Sequence, residues 1–144
     1  MDAEYCAKSE NRCIELFSEF NSHHNYYSTW TPTTPCSPYD VTATTAKGTE
    51  CKIELKRRDM NSTQYSEYFI EADKLADGLM YALEGYKPLY INFFNDGKVL
   101  TWDLTNLKMK PNKNKRRRKN IGSGMNDCIP VYSLSVKDAH VSTF

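Results

Sequence analysis

Charged and apolar residues alternate in the segment ECKIELKRR at residues 50–58. Side chains two positions apart share a face of a β-strand, so the pattern predicts a strand with Glu54 and Lys56 on a charged face. A carboxylate near a lysine suits metal-dependent phosphodiester cleavage, in which the carboxylate holds the cation and the lysine stabilises charge on the phosphate. A charged strand face that is simply solvated is the alternative interpretation.

A second carboxylate is predicted to lie across from this strand. Residues 39–45 have the composition of a strand, and Ala46–Gly48 suits a three-residue hairpin loop. That loop places Asp40 opposite Glu54, and opposed side chains lie about 5 Å apart on one face. Two carboxylates this close repel unless a cation lies between them, and oxygen ligands suit Mg²⁺ or Mn²⁺. We therefore predict Asp40 and Glu54 as metal ligands and, with Lys56, as catalytic residues.

The combination of Asp40 with Glu54-Leu55-Lys56 resembles the motif of the PD-(D/E)XK nuclease superfamily. The predicted order of elements is also similar, with a helix, a hairpin that carries the motif, a second helix and further strands. The resemblance implies an α/β (α+β), restriction-endonuclease-like fold with an αβββαβ core and a mixed central sheet flanked by helices. It also implies Mg²⁺- or Mn²⁺-dependent hydrolysis of DNA, by an endonuclease or exonuclease of recombination, repair or mobile elements. An inactive relative that binds nucleic acid or protein is the alternative.

Two further assignments depend partly on the resemblance. Glu10 lies on the apolar stripe of a helix predicted over residues 2–20, where a buried carboxylate needs a partner. The resemblance implies a metal ligand from the first helix, and Glu10 matches that position. A salt bridge at the edge of the stripe is the alternative. The segment ECK at residues 50–52 also fits the acid-x-lysine motif. We favour Glu54 with Lys56, because they lie in mid-strand, and assign Lys52 to DNA phosphate contact.

Gln64 has two interpretations. In NSTQ, at residues 61–64, it can cap a helix by reaching back to the first residue. The resemblance instead implies that Gln64 and Tyr68 form a Gln-xxx-Tyr pair near the DNA.

A basic cluster occupies residues 113–119. Its six cations are Lys113, Lys115, Arg116, Arg117, Arg118 and Lys119. They could bind DNA phosphates, serve as a localisation signal, or form a solvated loop. We favour phosphate binding, because the cluster accompanies a nuclease-like motif.

The periodicity of the chain predicts the remaining elements. We expect strands at 39–45, 50–58, 88–94, 98–104 and 128–136, a helix over at least 69–84, and loops at 21–38 and 108–127. Pro130 predicts an edge strand or a strand start, because it cannot donate to a ladder. All strands are expected in one mixed sheet.

The composition fits one domain over residues 1–144. The net charge is +1, and the N-terminus lacks the pattern of a signal peptide. No apolar run approaches the roughly 18 residues of a membrane span. We therefore expect no membrane contact. The five cysteines form no CxxC pair, which argues against disulfides or zinc and favours reduced thiols in a cytoplasmic protein. We expect DNA as partner, and a homodimer where two strands are cut.

Overall fold

The computed structural model describes residues 3–34, 37–108, 112–118 and 127–144. Within these ranges, the side chains of residues 3–10, 112–118 and 127–128 are outside the description. The helices are α1 (Ala3–His24) and α2 (Ala72–Leu83), with a 3-10 turn at Val136–Asp138. The strands are β1 (Tyr27–Pro32), β2 (Val41–Thr45), β3 (Glu50–Arg58), β4 (Glu67–Glu71), β5 (Lys87–Phe94), β6 (Lys98–Asp103), β7 (Asn112–Arg118), β8 (Asp127–Ser135) and β9 (His140–Thr143).

The strands form two sheets. The six-stranded sheet has the order β1-β2-β3-β5-β6-β9, and the three-stranded sheet has the order β4-β8-β7. In the larger sheet β3 and β5 run parallel, while the other neighbours are antiparallel. The succession α1-β1-β2-β3-α2-β5 matches the expected αβββαβ core, with a mixed central sheet between helices. The expectation of a single sheet was wrong, because β4, β7 and β8 pair with one another.

A hydrophobic core lies on each face of the six-stranded sheet. On one face, Ile53 and Leu55 of β3 pack with Phe17 of α1. On the other, Leu75 of α2 packs with Trp102 and with residues of the three-stranded sheet. The charged face of β3 points toward this second side, so α2 and the smaller sheet lie over part of it.

The predicted hairpin is confirmed. β2 pairs with β3 so that Val41 faces Ile53 and Thr44 faces Glu50, which is the register derived from the Ala46–Gly48 loop. Gly48 has a φ of +90°, in the region that a glycine enters without steric cost.

The segment predicted as a loop at 21–38 contains β1. Aromatic and β-branched residues give it strand character, and Tyr27 packs on Phe17 with ring centroids 5.4 Å apart. Pro32 ends this edge strand, a position that tolerates a missing N–H. Pro32 therefore marks the end of a strand, and residues 27–32 are not part of a loop.

The helix predicted over 69–84 begins later, at Ala72. Tyr68 and Ile70 are buried while their neighbours are more exposed, and this period of two belongs to β4. The apolar stripe of the helix starts only after that strand. The predicted cap at 61–64 was therefore wrong, because these residues form a turn that leads into β4.

The loop predicted at 108–127 contains β7, which pairs along its described length with β8. β8 is the middle strand of its sheet, not an edge or the last strand. The pairing of β8 with β4 starts at Val131, however, so at Pro130 only β7 lies alongside. The missing N–H of Pro130 is thus tolerated where one neighbour is absent.

Two further expectations concern cysteines and membranes. Among the described side chains, Cys13 and Cys51 are buried free thiols. Neither described helix is long and apolar enough to cross a membrane.

Candidate active site

Asp40 lies just before β2, and both its backbone and its carboxylate are held by hydrogen bonds. Its backbone N–H donates to the carbonyl oxygen of Ile53 over 3.0 Å, and its Oδ2 accepts from the N–H of Leu55 over 2.8 Å. The β2–β3 ladder therefore ends at Val41, one residue before the predicted pair of Asp40 and Glu54. The carboxylate instead lies against the backbone that follows Glu54, and it is 9% exposed.

Cys13 on α1 lies within electrostatic range of the predicted catalytic residues. The pKa of its thiol is raised to about 11, chiefly by burial, with smaller contributions from the carboxylates of Asp40 and Glu54. The N–H of Arg57 and the ammonium of Lys56 oppose that rise in pKa. The contact that brings Asp40 near Glu54 and Lys56 is its hydrogen bond to the N–H of Leu55, the residue between them on β3.

Glu54 is held by a residue that the sequence did not single out for this role. Lys74 Nζ lies 3.7 Å from Glu54 Oε2 and donates to the carbonyl oxygen of Pro38 over 2.8 Å. The spacing of Glu71 and Lys74 in the sequence suggests a surface pair on a helix, but α2 turns Lys74 toward β3. The ammonium links α2 to the segment that carries Asp40 and to the strand that carries Glu54.

Tyr39 attaches α2 to the same segment. Its buried hydroxyl donates to the carbonyl oxygen of Lys74 over 3.0 Å. Burial is the largest cause of the raised pKa of Tyr39, so the hydroxyl stays protonated and can donate. A Cβ at Gly78 would collide with this hydroxyl, which shows how closely the helix approaches. The residue before Asp40 is therefore fixed by packing.

A cleft of about 210 Å³ opens beside Glu54 and Lys56. Its other charged residues are Arg58, Glu71 and Lys74. The strand pairing of β3 with β5 supplies the floor, because Glu54 lies beside Tyr90 and Lys56 beside Asn92. Arg58 is buried and could not be recognised from the sequence, where RR at 57–58 looks like a solvated end of a strand.

Lys52 lies elsewhere on β3. Its Nζ donates to Thr42 Oγ1 over 3.1 Å and lies 4.6 Å from the ring centroid of Tyr86 and 5.3 Å from that of Tyr81. Glu50 is exposed near the hairpin turn. The alternative motif at 50–52 is therefore not part of the cleft that Glu54 and Lys56 line.

Gln64 is exposed in the turn before β4, where its Nε2 lies 3.4 Å from the hydroxyl of Tyr65. Tyr68 is buried in β4 and donates to the carbonyl oxygen of Ser62 over 2.9 Å. The two residues of the expected pair therefore lie on a turn and a strand, not on a helix.

Two groups of predicted residues are described by backbone position alone. Glu10 lies on α1, about one turn before Cys13. Residues 113–118 of the basic cluster lie on β7, and Lys119 is outside the described residues. Asn114 faces Val131, which lines the cleft, so Asn114 and the alternate positions Arg116 and Arg118 belong to the same face of the sheet.

The oxygen ligands that Asp40 and Glu54 offer suit a hard cation, but two carboxylates alone do not fill its coordination shell. Asp40 and Glu54 offer carboxylate oxygens, which suit Mg²⁺ and Mn²⁺. Among the side chains that the structure describes, no three His, Cys, Asp or Glu residues form a group that could hold a metal ion. Glu10, predicted from the sequence as a further ligand, has its side chain outside that description.

Comparison with known proteins bears on the fold. No family model and no curated protein matches the sequence. Among solved structures, the chain is similar to Hjc of Archaeoglobus fulgidus, a Holliday junction resolvase from an archaeal hyperthermophile. The TM-score is 0.55 at 12% sequence identity, and the match covers 87% of each chain.

This likeness concerns architecture, and the chemistry has to be argued from the residues. The order of elements that the PD-(D/E)XK resemblance predicts is also found in the structure. The mixed sheet and its flanking helices match the fold of Hjc. The chain therefore has a restriction-endonuclease-like fold.

Proposed function

We propose that this protein is a metal-dependent DNA nuclease, a hydrolase that cuts phosphodiester bonds in recombination or repair. The observation that carries the proposal is the hydrogen bond of Asp40 to the N–H of Leu55, between Glu54 and Lys56, which themselves line the cleft of about 210 Å³. Their positions on the hairpin of a fold shared with a Holliday junction resolvase support the same conclusion.

The residues near the cleft would have different roles in cleavage. Asp40 and Glu54 would hold Mg²⁺ or Mn²⁺, with Glu10 as a third ligand. Such a cation would supply charge neutralisation at the phosphate and a water of lowered pKa. Lys56, exposed beside the cleft, can place its ammonium against the cleaved phosphate and stabilise the charge that develops there. Lys74 and the N–H of Leu55 hold the two carboxylates in place.

DNA contact would extend from the cleft to the three-stranded sheet. β7 is an edge strand, and the positions of Arg116 and Arg118 share a face with the cleft residue Val131. A row of cations on this strand can follow a phosphate backbone without reading base sequence. Lys113, Lys115, Arg117, Lys119, Lys52 and Gln64 are proposed as further contacts. A homodimer would bring two clefts to two strands, and a cytoplasmic location is part of the same proposal.

The test is cleavage of labelled DNA with Mg²⁺ or Mn²⁺ and with Ca²⁺ as a control. A four-way junction, a nicked duplex, an intact duplex and a single strand separate the substrate classes. We expect Asp40→Asn and Glu54→Gln to abolish cleavage and to remain folded. Glu50→Gln is the matched control, because this exposed glutamate lies on the same strand outside the cleft, and it should keep wild-type activity. Cleavage that survives both Asp40→Asn and Glu54→Gln would refute the assignment.

A second function has its own support. Asp40 already accepts from Leu55, and Glu54 is ion-paired to Lys74, so the described carboxylates have partners within the protein. This arrangement suits an inactive nuclease relative that binds DNA or protein. Such a module would bind DNA in a salt-dependent manner and cleave none of the four substrates in any metal.

A further inference from the structure

Arg58 is a buried cation at the end of β3. It is 8% exposed, and it lines the same cleft as Glu54 and Lys56. A buried guanidinium is costly unless it is paired or fully hydrogen-bonded. The hydrogen-bond partners of Arg58 therefore show whether its charge is neutralised within the protein.

Each acceptor that Arg58 uses is neutral. Its Nε donates to Asn92 Oδ1 over 2.8 Å, and its Nη2 donates to the carbonyl oxygen of Phe69 over 2.6 Å and to Tyr90 Oη over 3.1 Å. No ion pair involves Arg58 among the residues described here. Its hydrogen bonds fix the guanidinium in place and leave its positive charge uncompensated by a direct carboxylate.

Asn92 accepts a hydrogen bond from Arg58, and its own amide nitrogen is left without a partner among the residues that the structure describes. It is fully buried, and because a guanidinium only donates, the amide must present its oxygen to Arg58. Its Nδ2 is then buried without a hydrogen-bond acceptor in the described part of the chain. A buried donor without an acceptor destabilises the folded state. An apolar residue would avoid that cost, so the position of Arg58 accounts for a polar residue in the central strand.

One donor group of Arg58 remains for a ligand. Nη1 takes part in none of the three hydrogen bonds, and it is not among the described polar atoms that are both buried and unsatisfied. The cleft carries the cations Lys56, Arg58 and Lys74 against the carboxylates Glu54 and Glu71, so its lining has one positive charge in excess. A guanidinium with a free edge matches the oxygens of a phosphate group.

We propose that Arg58 binds a backbone phosphate of the DNA strand that occupies this cleft. The inference rests on the proposed function and assigns a residue to substrate binding that the sequence motif does not include. The role of Arg58 is to hold the strand, whereas Lys56 acts on the cleaved phosphate.

The test is DNA binding in Ca²⁺, measured by fluorescence anisotropy of a labelled four-way junction over a salt series. Arg58→Gln should weaken binding about tenfold or more, since a hydrogen bond to a charged group is worth that much. The plot of log affinity against log salt should flatten by about 0.9, the effect of one phosphate contact on duplex DNA. Arg57→Gln is the matched control, because it removes the same charge from an exposed neighbour outside the cleft. It should bind within twofold of the wild type.

Arg58 also joins β3 to β4 and β5, so Arg58→Gln will lower stability. Asn92→Asp provides a second variant that keeps the arginine. Its isosteric carboxylate would give the guanidinium a buried partner, and we expect a folded protein with the same loss of affinity and slope. Wild-type affinity and slope in Asn92→Asp, or equal effects of Arg58→Gln and Arg57→Gln, would overturn the inference alone. A wild-type protein that binds no DNA would overturn the proposed function with it.

Discussion

Gly78→Ala tests how tightly α2 is held against the segment that carries Asp40. A methyl group at Gly78 would lie under 3.0 Å from Tyr39 Oη, 3.1 Å from Leu104 Cδ1 and 3.2 Å from Pro88 Cβ. Tyr39 is 1% exposed, so its ring cannot swing away into solvent. The substitution must therefore displace either the helix or the tyrosine.

The expected cost follows from three effects. Alanine is favoured over glycine inside a helix by about 1 kcal/mol. Overpacking a filled core costs about 1–3 kcal/mol, and losing the hydrogen bond from Tyr39 to Lys74 costs about 1 kcal/mol. We therefore expect Gly78→Ala to lower the free energy of unfolding by about 1–3 kcal/mol. A shift of Asp40 by about 1 Å would also reduce DNA cleavage on the order of 10²-fold.

Urea unfolding measures the first effect, with the midpoint and slope both recorded. Ala76→Gly, an exposed site on the same helix, gives the intrinsic difference between the two residues. In a Tyr39→Phe background the clash is relieved and the hydrogen bond is already absent, so Gly78→Ala should cost about 1 kcal/mol less there. Stabilisation of the wild-type background by about 1 kcal/mol would refute the close packing, because only the helix preference would then remain.

Three further outcomes follow from the site. Lys56→Ala should keep the fold and lose cleavage by about 10²-fold or more, while Lys52→Ala stays active; the opposite result in a cleavage assay would make 50–52 the motif. Changing the three arginines at 116–118 to Gln should weaken binding to all DNA sequences equally and lower the salt slope by about two to three, measured by anisotropy; an unchanged slope would indicate a solvated strand. Burial raises the pKa of Cys13 from 9.0 to about 11, so the folded state favours the protonated thiol. The stabilisation that this raised pKa provides should be complete below pH 9 and lost as pH rises toward 11. In urea unfolding over this pH range, the free energy of unfolding should fall less steeply for Cys13→Ala than for the wild type. The same pH dependence in both proteins would contradict the burial of this thiol.

The local pattern was sufficient to predict the hairpin and the central strands. The loop Ala46–Gly48 sets the β2–β3 register through its length, and that register brings Asp40 close to Glu54. The run at 88–94 predicted a central strand because it is apolar on both faces. These features depend on neighbouring residues, which a sequence displays directly.

The rest depends on contacts between distant segments. β4 and β7 are recognisable as strands only when β8 lies between them, and polar or basic residues hide their pairing in the sequence. Lys74 and Arg58 are residue types usually found in solvent, yet Lys74 pairs with Glu54 of β3 and Arg58 is bonded to β4. The roles of these two residues at the cleft follow from packing that no local pattern encodes.

A crystal grown with Mn²⁺ tests whether Asp40 and Glu54 are metal ligands. Anomalous scattering locates manganese without reference to activity. We expect one strong peak bound by carboxylate oxygens of Asp40 and Glu54, lost in crystals of Asp40→Asn and kept in Glu50→Gln. A wild-type crystal with Mn²⁺ bound elsewhere, or with Glu54 still paired to Lys74 and no peak beside it, would show that these residues are not the metal ligands.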